Sequence, residues 1–334
     1  KLNVALRSSL QLQEVVITAE RAGDVRSSQM SAIEVPLSQI KTIPAFAGEV
    51  DVIKALQLLP GVQSGTEGSA GLYVRGGGAD ENLLLMDGVP LYNVNHLFGF
   101  FSVFNPDAIK NVTLYKGSFP ARFGGHLSSV VDIRLNDGND SEIHGAASIG
   151  LISSKFSLEG PIVKGRTTFN ISARRTYLDL LAKPALAYVN KENYDDADNF
   201  AKYGGGYDFY DLNAKITHHF KNDDRLSLSF YTGDDAASVK MDDAYSYNIV
   251  EYDQDGSYRK TDYINKYGQK IKFGWRWGNL VTALRWNHAI TPKLYMTAGT
   301  SYTQYRSYLS LGMDEISGIY HGSKKMEVEQ MSMG

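Results

Sequence analysis

The chain has 334 residues, long for a single ordinary domain, so two or more units are expected. A formal charge of −3 gives no attraction to nucleic acid, and the absence of cysteine excludes a disulfide framework or a Cys-based zinc site. Tyrosine is in excess, 21 against 14 Phe and 3 Trp, which suits a membrane boundary but also a carbohydrate-binding or other soluble β protein.

No run of 18 apolar residues occurs, so no transmembrane helix is available, and a spanning form would have to be a closed β-barrel. The first six residues, Lys1 to Leu6, alternate like a strand already under way; with no signal peptide before them, the N-terminus is read as trimmed. A β-branched patch follows, Gln13-Glu14-Val15-Val16-Ile17-Thr18-Ala19-Glu20, and then a polar, aperiodic run from Arg21 to Ser31 that reads as a linker.

Residues 41–140 read as a compact α+β domain. Gly48 to Leu59 is expected to be a short helix with Glu49 and Asp51 in its first turn and Ile53, Leu56 and Leu59 on one face, stopped by Pro60-Gly61. Tyr73-Val74-Arg75-Gly76-Gly77-Gly78 and Leu83-Leu84-Leu85-Met86-Asp87-Gly88-Val89-Pro90 read as an apolar strand, a Gly-rich bend, a second strand and an Asp-Gly turn, with hairpin character. Asn105-Pro106-Asp107 opens a second helical turn with Asn as cap, before strands at 112–115 and 129–135.

From about residue 142 the apolar period becomes two. Phe169, Ile171 and Ala173 alternate with Asn170, Ser172 and Arg174; Leu212, Ala214 and Ile216 with Asn213, Lys215 and Thr217; Leu226, Leu228 and Phe230 with Arg225, Ser227 and Ser229; Leu294, Met296 and Ala298 with Tyr295, Thr297 and Gly299. The parity flips near Leu151-Ile152, which requires a tight hairpin there. Seven strands are counted, with an eighth beginning near Glu327. Connections near 162–166, 221–224 and 291–292 are short, and those near 182–207, 235–270 and 310–325 are expected to be long loops. That asymmetry is the habit of outer-membrane barrels, whereas a soluble sandwich has no reason for it. Seven or eight strands close around side chains alone, so a domain of about 100 residues needs a larger barrel, and the chain is read as incomplete at both ends.

These segments together resemble the TonB-dependent outer-membrane transporters, of the SusC-like type found in Bacteroidota. Gln11 to Ala19 resembles the TonB box of that group. Ile43-Pro44 through Leu58-Leu59-Pro60-Gly61-Val62 is similar to the first plug helix, Val74-Arg75-Gly76-Gly77 and Met86-Asp87-Gly88-Val89-Pro90-Leu91-Tyr92 to its central motifs, and Phe104-Asn105-Pro106 to Lys116-Gly117 with Pro120-Ala121-Arg122-Phe123-Gly124-Gly125 to its closing segment. Leu158-Glu159-Gly160-Pro161 and Ala173-Arg174-Arg175-Thr176-Tyr177 resemble early barrel strands, and Lys1 to Leu6 the last strand of a carboxypeptidase-regulatory-like leading domain. The resemblance implies an α+β plug followed by the first strands of a large antiparallel transmembrane β-barrel of 22 strands, about fourteen of which would lie outside this chain. It divides the sequence into 1–10 (end of the leading domain), 11–40 (TonB-box arm and linker), 41–140 (plug) and 141–334 (partial barrel). It implies energised import of a glycan, peptide or metal chelate across the outer membrane of a Gram-negative bacterium. TonB, the lipid bilayer and a SusD-like surface lipoprotein lid are the implied partners. No enzymatic activity, cofactor or nucleic acid is implied. The alternatives are a structural subunit of a larger outer-membrane assembly and a soluble Tyr-rich β protein such as an adhesin.

Individual residues are weighed against plainer roles. Gly76 to Gly78 lack the Lys-Ser/Thr of a phosphate loop and read as a bend, and Asp87 reads as a turn residue rather than a catalytic acid. None of the seven histidines has zinc spacing; the adjacent His218 and His219 point to opposite faces of one strand. The acidic run Glu192, Asp195, Asp196 and Asp198 reads as a solvated loop ahead of a calcium site. Glu14 to Ala19 form the candidate TonB box, and Arg75, Gly76, Gly77, Asp87, Gly88 and Pro90 the plug motif. Asn93, Asn95 and His96 are candidates to face ligand, with packing against the barrel wall as the alternative. Arg174, on the polar face of its strand, is a candidate plug–barrel ion pair.

Overall fold

The computed structural model describes residues 32–43, 48–65, 70–192, 200–220, 224–291, 294–321 and 324–333. The candidate TonB box at Glu14–Ala19, the arm before residue 32 and the acidic positions Asp195, Asp196 and Asp198 lie outside them.

The first unit begins with β1 (Ala32–Pro36), α1 (Leu37–Ile40) and α2 (Val52–Gln57). It continues through β2 (Val62–Gln63), β3 (Tyr73–Val74), β4 (Asn82–Met86), β5 (Val89–Pro90), β6 (Asn95–His96) and β7 (Phe101–Ser102) to β8 (Ile109–Tyr115) and β9 (Ser129–Leu135). Its main sheet has the order β1-β8-β9-β4-β5, with β4 parallel to β9 and the other pairs antiparallel. Ile53 and Leu56 of α2, Ile109, Val112 and Leu114 of β8 and Ile133 of β9 form its core. That core runs on into the second unit through Tyr231, Val281 and Ala283.

Two local expectations change. Helix α2 starts at Val52, so Asp51 is its N-cap: Oδ1 accepts from the amides of Ile53 (2.8 Å) and Lys54 (3.1 Å), while Glu49 stands before the helix with a buried side chain. The Gly-rich bend does not join a hairpin, because β3 pairs with β2 and β4 runs parallel to β9. The Asp-Gly turn is a hairpin turn, β4 to β5, with both Asp87 (φ 50°) and Gly88 (φ 78°) left-handed, the geometry of a type I′ turn.

The second unit is one antiparallel sheet of eight strands in sequence order, here called the wall: β10 (His144–Ile149), β11 (Ser153–Val163), β12 (Thr167–Thr176), β13 (Phe200–His219), β14 (Arg225–Tyr252), β15 (Tyr258–Thr291), β16 (Leu294–His321) and β17 (Lys324–Met333). The parity flip is a tight turn closed by Gly150 N–H donating to Ser153 O (2.8 Å). The segments expected as long loops are mostly strand. Strands β14 and β15 pair from Arg225 and Asn287 out to Tyr252 and Tyr258, with one register shift between Asn248 and Val250, and a helix, α3 (Leu178–Glu192), occupies part of the first connection. At about 3.3 Å per residue the 34 residues of β15 far exceed the 9–11 needed to cross a bilayer, so its outer half stands clear of any membrane. Beyond residue 238 no described residue of β14 is buried, and the alternation that marks a half-buried strand vanishes although the ladder persists.

The alternation from 142 onward sorts the wall into two faces. Asn170, Ser172, Arg174, Asp211, Asn213, Lys215, Ser227 and Ser229 are buried against the first unit. Phe169, Ile216, Leu228 and Leu284 line up across four strands on the opposite face, where Ile216 and Leu228 are each 45% exposed. This apolar band starts at a girdle, His218 against Phe220 (4.4 Å) and Trp286 against His288 (5.1 Å). It ends at a polar belt in which Asp234 accepts from Tyr210 Oη (2.7 Å), Arg276 (3.3 Å) and Arg306 (3.4 Å). From His218 to Tyr210 the band is about eight residues, roughly 26 Å along the strand; at the ~40° tilt of outer-membrane barrel strands that is about 20 Å of height, somewhat below their ~25 Å apolar band. Among the described residues no helix is long and apolar enough to cross a membrane.

Candidate functional site at the plug–wall interface

Charged side chains are buried where the first unit meets the wall, in three linked groups. At the first, β6 brings His96 into the interface with its ring fully buried and stacked on Phe209 (4.0 Å, 8° between planes). Both ring nitrogens face carboxylates of the wall: Nδ1 lies 2.7 Å from Asp235 Oδ2 and Nε2 2.9 Å from Asp211 Oδ1. A ring that meets an acceptor on each side donates from both nitrogens only as the imidazolium. Burial alone lowers the His96 pKa, but Asp211 and Asp235 outweigh it and raise it to about 9. Tyr207 Oη donates to Asp235, and Tyr231 Oη to Asp211 (2.8 Å).

The second group hangs on Arg174 of β12. Its Nη2 lies 2.6 Å from Asp211 Oδ2 and donates to Ser102 O (2.8 Å), and its Nη1 lies 3.6 Å from Glu49 Oε2. Glu49 also meets Lys155 Nζ (2.7 Å) and accepts from Ser153 Oγ. Three acids, Glu49, Asp211 and Asp235, are thus matched by three cations, Lys155, Arg174 and protonated His96. A buried cluster of this size is tolerable only when so matched. Asp51 adds a link through the main chain, its Oδ2 accepting from Ser102 N–H (2.5 Å).

The third group sits near the short turns. Lys215 Nζ of β13 lies 3.0 Å from Asp87 Oδ2, 3.0 Å from Asp137 Oδ1 and 3.0 Å from Leu135 O. Burial pushes the Asp137 pKa up, but Lys215, Arg225 and Lys110 together hold it below the usual carboxylate range. Arg285 of β15 donates to Asp87 O (2.5 Å), and Thr303 Oγ1 of β16 to Pro90 O (3.0 Å). Asp87, Gly88 and Pro90 are therefore one turn gripped by three wall strands.

The remaining expected site residues fall as follows. Arg174 joins the two units, although its nearest carboxylate is Asp211 of its own wall rather than one from the first unit. His96 does not face open space: it is buried in the interface, because the two aspartates occupy both ring nitrogens. Asn93 donates to Tyr305 Oη (3.2 Å) and accepts from Asn279 Nδ2 (3.2 Å) at the rim; Asn95 is partly buried. Arg75 is exposed with φ 50°, next to Gly76 at 84°, and shapes the bend after β3. Sequence reasoning passed over Glu49, Asp51, Asp211, Lys215, Asp235 and Arg285 as interface groups. The signal was available for the wall: Arg174, Asp211, Lys215 and Asp235 are ionisable residues on the inward parity of strands. Among the described residues no group of ligands could hold a metal ion.

Residues 26–130 match the family model of the TonB-dependent receptor plug domain. No curated protein matches the chain. Solved structures similar to it include the siderophore receptor PirA of Acinetobacter baumannii (14% identity, TM-score 0.47, covering 91% of this chain and 55% of that one). A mutant of the ferric enterobactin receptor PfeA of Pseudomonas aeruginosa, in complex with enterobactin, is 12% identical (TM-score 0.41, 86% and 60%). A double mutant of the Serratia marcescens hemophore receptor HasR, in complex with its hemophore HasA and heme, is 12% identical (TM-score 0.47, 90% and 51%). The chain spans between about half and three fifths of the length of these structures. The fold is a plug domain followed by antiparallel strands of barrel type.

Proposed function

We propose that this chain is the plug and leading barrel wall of a TonB-dependent importer in the outer membrane of a Gram-negative bacterium, carrying a nutrient of the glycan, peptide or metal-chelate class. The observation that carries the reading is the seating of the plug. A domain matching the plug family packs on the polar face of a sheet whose other face carries an apolar band, and buried, charge-matched pairs join the two. Such a seat holds firmly at rest and is broken by pulling, because each separated charge can be rehydrated as it leaves.

In this reading Glu14 to Ala19 is the TonB box, the SusC-like resemblance extends to a Bacteroidota source and a SusD-like lid, and the protein performs no covalent chemistry. Ligand meets the rim of the plug at Asn93 and Asn95. Beside them stands Phe98, 63% exposed with φ 53° and 5.4–5.9 Å from Trp277, Tyr207 and Trp275, a ring platform for an aromatic or sugar face. A purely structural subunit has no use for a releasable plug. The test is uptake: deletion of the gene, or collapse of the proton-motive force with a protonophore, abolishes growth on the cognate nutrient as sole source. Unchanged growth on every nutrient of the three classes, with the protein recovered in a stable outer-membrane assembly, overturns the import reading.

A further inference from the structure

At the end of the wall that carries the short turns, a cavity of about 820 Å³ lies between plug and wall. Its volume is within the range of small-molecule sites. Its charge is unlike that of the chain, which is −3 overall. Lys110, Arg122 and Arg134 of the plug and Lys215, Arg225 and Arg285 of the wall line it, against the carboxylates of Asp87 and Asp137.

Those two carboxylates are already committed. Asp137 is shared among Lys110 (3.2 Å), Lys215 (3.0 Å) and Arg225, and Asp87 answers Lys215 (3.0 Å). Arg285 reaches only the main-chain oxygen of Asp87. Arg122 lies over the Phe123 ring (4.7 Å) and has no carboxylate within ion-pair distance among the described residues. Two guanidinium forks are therefore left facing the cavity with donors to spare, and such forks match carboxylate and phosphate oxygens in pairs. Leu83, Leu85 and Ala283 supply apolar lining, which concentrates the field of the cations in the space between them.

We propose that this cavity is a binding station for a soluble polyanion, gripped through its carboxylate or phosphate groups by Arg122 and Arg285, while Arg134, paired with Asp132 (2.6 Å), lines the same space. The import reading enters only in giving the anion a direction of travel, past the plug and out at the short-turn end.

The test uses the full-length protein in detergent micelles, titrated calorimetrically with citrate and with inorganic phosphate, together with crystals soaked in tungstate. Saturable one-to-one binding of citrate or phosphate and a tungstate anomalous peak within reach of Arg122 and Arg285 are expected. Arg122 is exposed and makes no ion pair among the described residues, so Arg122→Gln is a variant that folds; it is expected to weaken binding at least tenfold, and the remote Arg259→Gln to leave it unchanged. Binding that is absent, or equally strong in Arg122→Gln, overturns the assignment, as does tungstate found only elsewhere. Anion binding needs no energy source, so the two readings fail separately. Binding without TonB-dependent uptake leaves the cavity assigned and the import reading lost, and uptake without binding does the reverse.

Discussion

The guanidinium of Arg285 occupies the space in which a Cβ at residue 88 would lie, because Gly88 turns the chain at φ 78° directly against it. The hydrogen bond from Arg285 to Asp87 O thus depends on the residue after Asp87 having no side chain. Gly88→Ala is expected to cost roughly 1–2 kcal/mol from the left-handed backbone alone, plus the displaced bond. The readout is limited proteolysis of the detergent-solubilised full-length protein, in which cleavage within residues 84–92 rises. Arg285→Ala in the Gly88→Ala background should add little, since the bond is already gone; full additivity contradicts the coupling.

Arg174 joins Asp211 of the wall to Ser102 and Glu49 of the plug. Arg174→Met removes the cation and leaves the acids buried with too little positive charge, so a loss of about 3–5 kcal/mol is expected. Asp211→Asn added to Arg174→Met removes one of the stranded charges and is expected to recover part of that loss. Thermal melting of the full-length protein in detergent measures both. A double variant no more stable than the single shows that the cost arises from packing, not charge.

The fold was readable from the sequence to different depths in its two units, for a physical reason. Strands half-buried between plug and apolar band alternate with period two, so Leu212, Ala214 and Ile216 announced their face. Past residue 238 no described residue of β14 is buried and no alternation survives, so strand was read as loop. In the plug, Asp87-Gly88 was legible because its turn is local. The pairing of β4 with β9 was not, because parallel strands about 47 residues apart leave no local mark. Glu49 was taken for a helix-dipole residue because its partners, Lys155 and Arg174, are more than a hundred residues away. Interfaces are made by such long-range pairs, and a single sequence shows only the parity of each member.

The two faces of β13 give a contrast that separates membrane from plug. Ile216→Arg places a cation in the apolar band and is expected to cost roughly 2–4 kcal/mol near mid-membrane, with or without the plug. Asn213 is 2% exposed beneath the plug, so Asn213→Arg is expected to destabilise the intact protein and to be tolerated once the plug is deleted. Folding of full-length and plug-deleted proteins into lipid vesicles measures both. Equal costs for Ile216→Arg and Asn213→Arg in the plug-deleted protein contradict the assignment of faces.

The arm carries the prediction about TonB. Val15-Val16-Ile17-Thr18 has high strand propensity and no partner strand close in sequence, so it is suited to add to the edge of another protein's sheet through main-chain hydrogen bonds. Val16→Pro removes one of those donors. On the proposed import function, cells carrying the variant at normal outer-membrane levels are expected to lose growth on the cognate nutrient while keeping a stable barrel. Full growth sinks the TonB-box assignment.

His96 sets the pH range over which the plug is held. Its pKa rises from 6.5 to about 9 on burial between Asp211 and Asp235, with Tyr207, Tyr231 and Arg174 as the other ionisable groups of the same network. A raised folded-state pKa gives stabilisation that is fully present below pH 6.5 and is lost as pH rises through about 9. The shift corresponds to on the order of 3 kcal/mol of preference for the protonated, seated state. Above pH 9 the ring loses its charge and one donor, so one aspartate keeps only its other donors, and the β6–β7 loop should loosen. Hydrogen exchange at residues 94–103, corrected for the intrinsic pH dependence, should accelerate between pH 7 and pH 10. His96→Asn cannot titrate, so it should exchange faster at pH 7 and show a flat corrected profile. A wild-type profile as flat as that of the variant would mean that His96 is held neutral and that the clamp is a packing contact without charge.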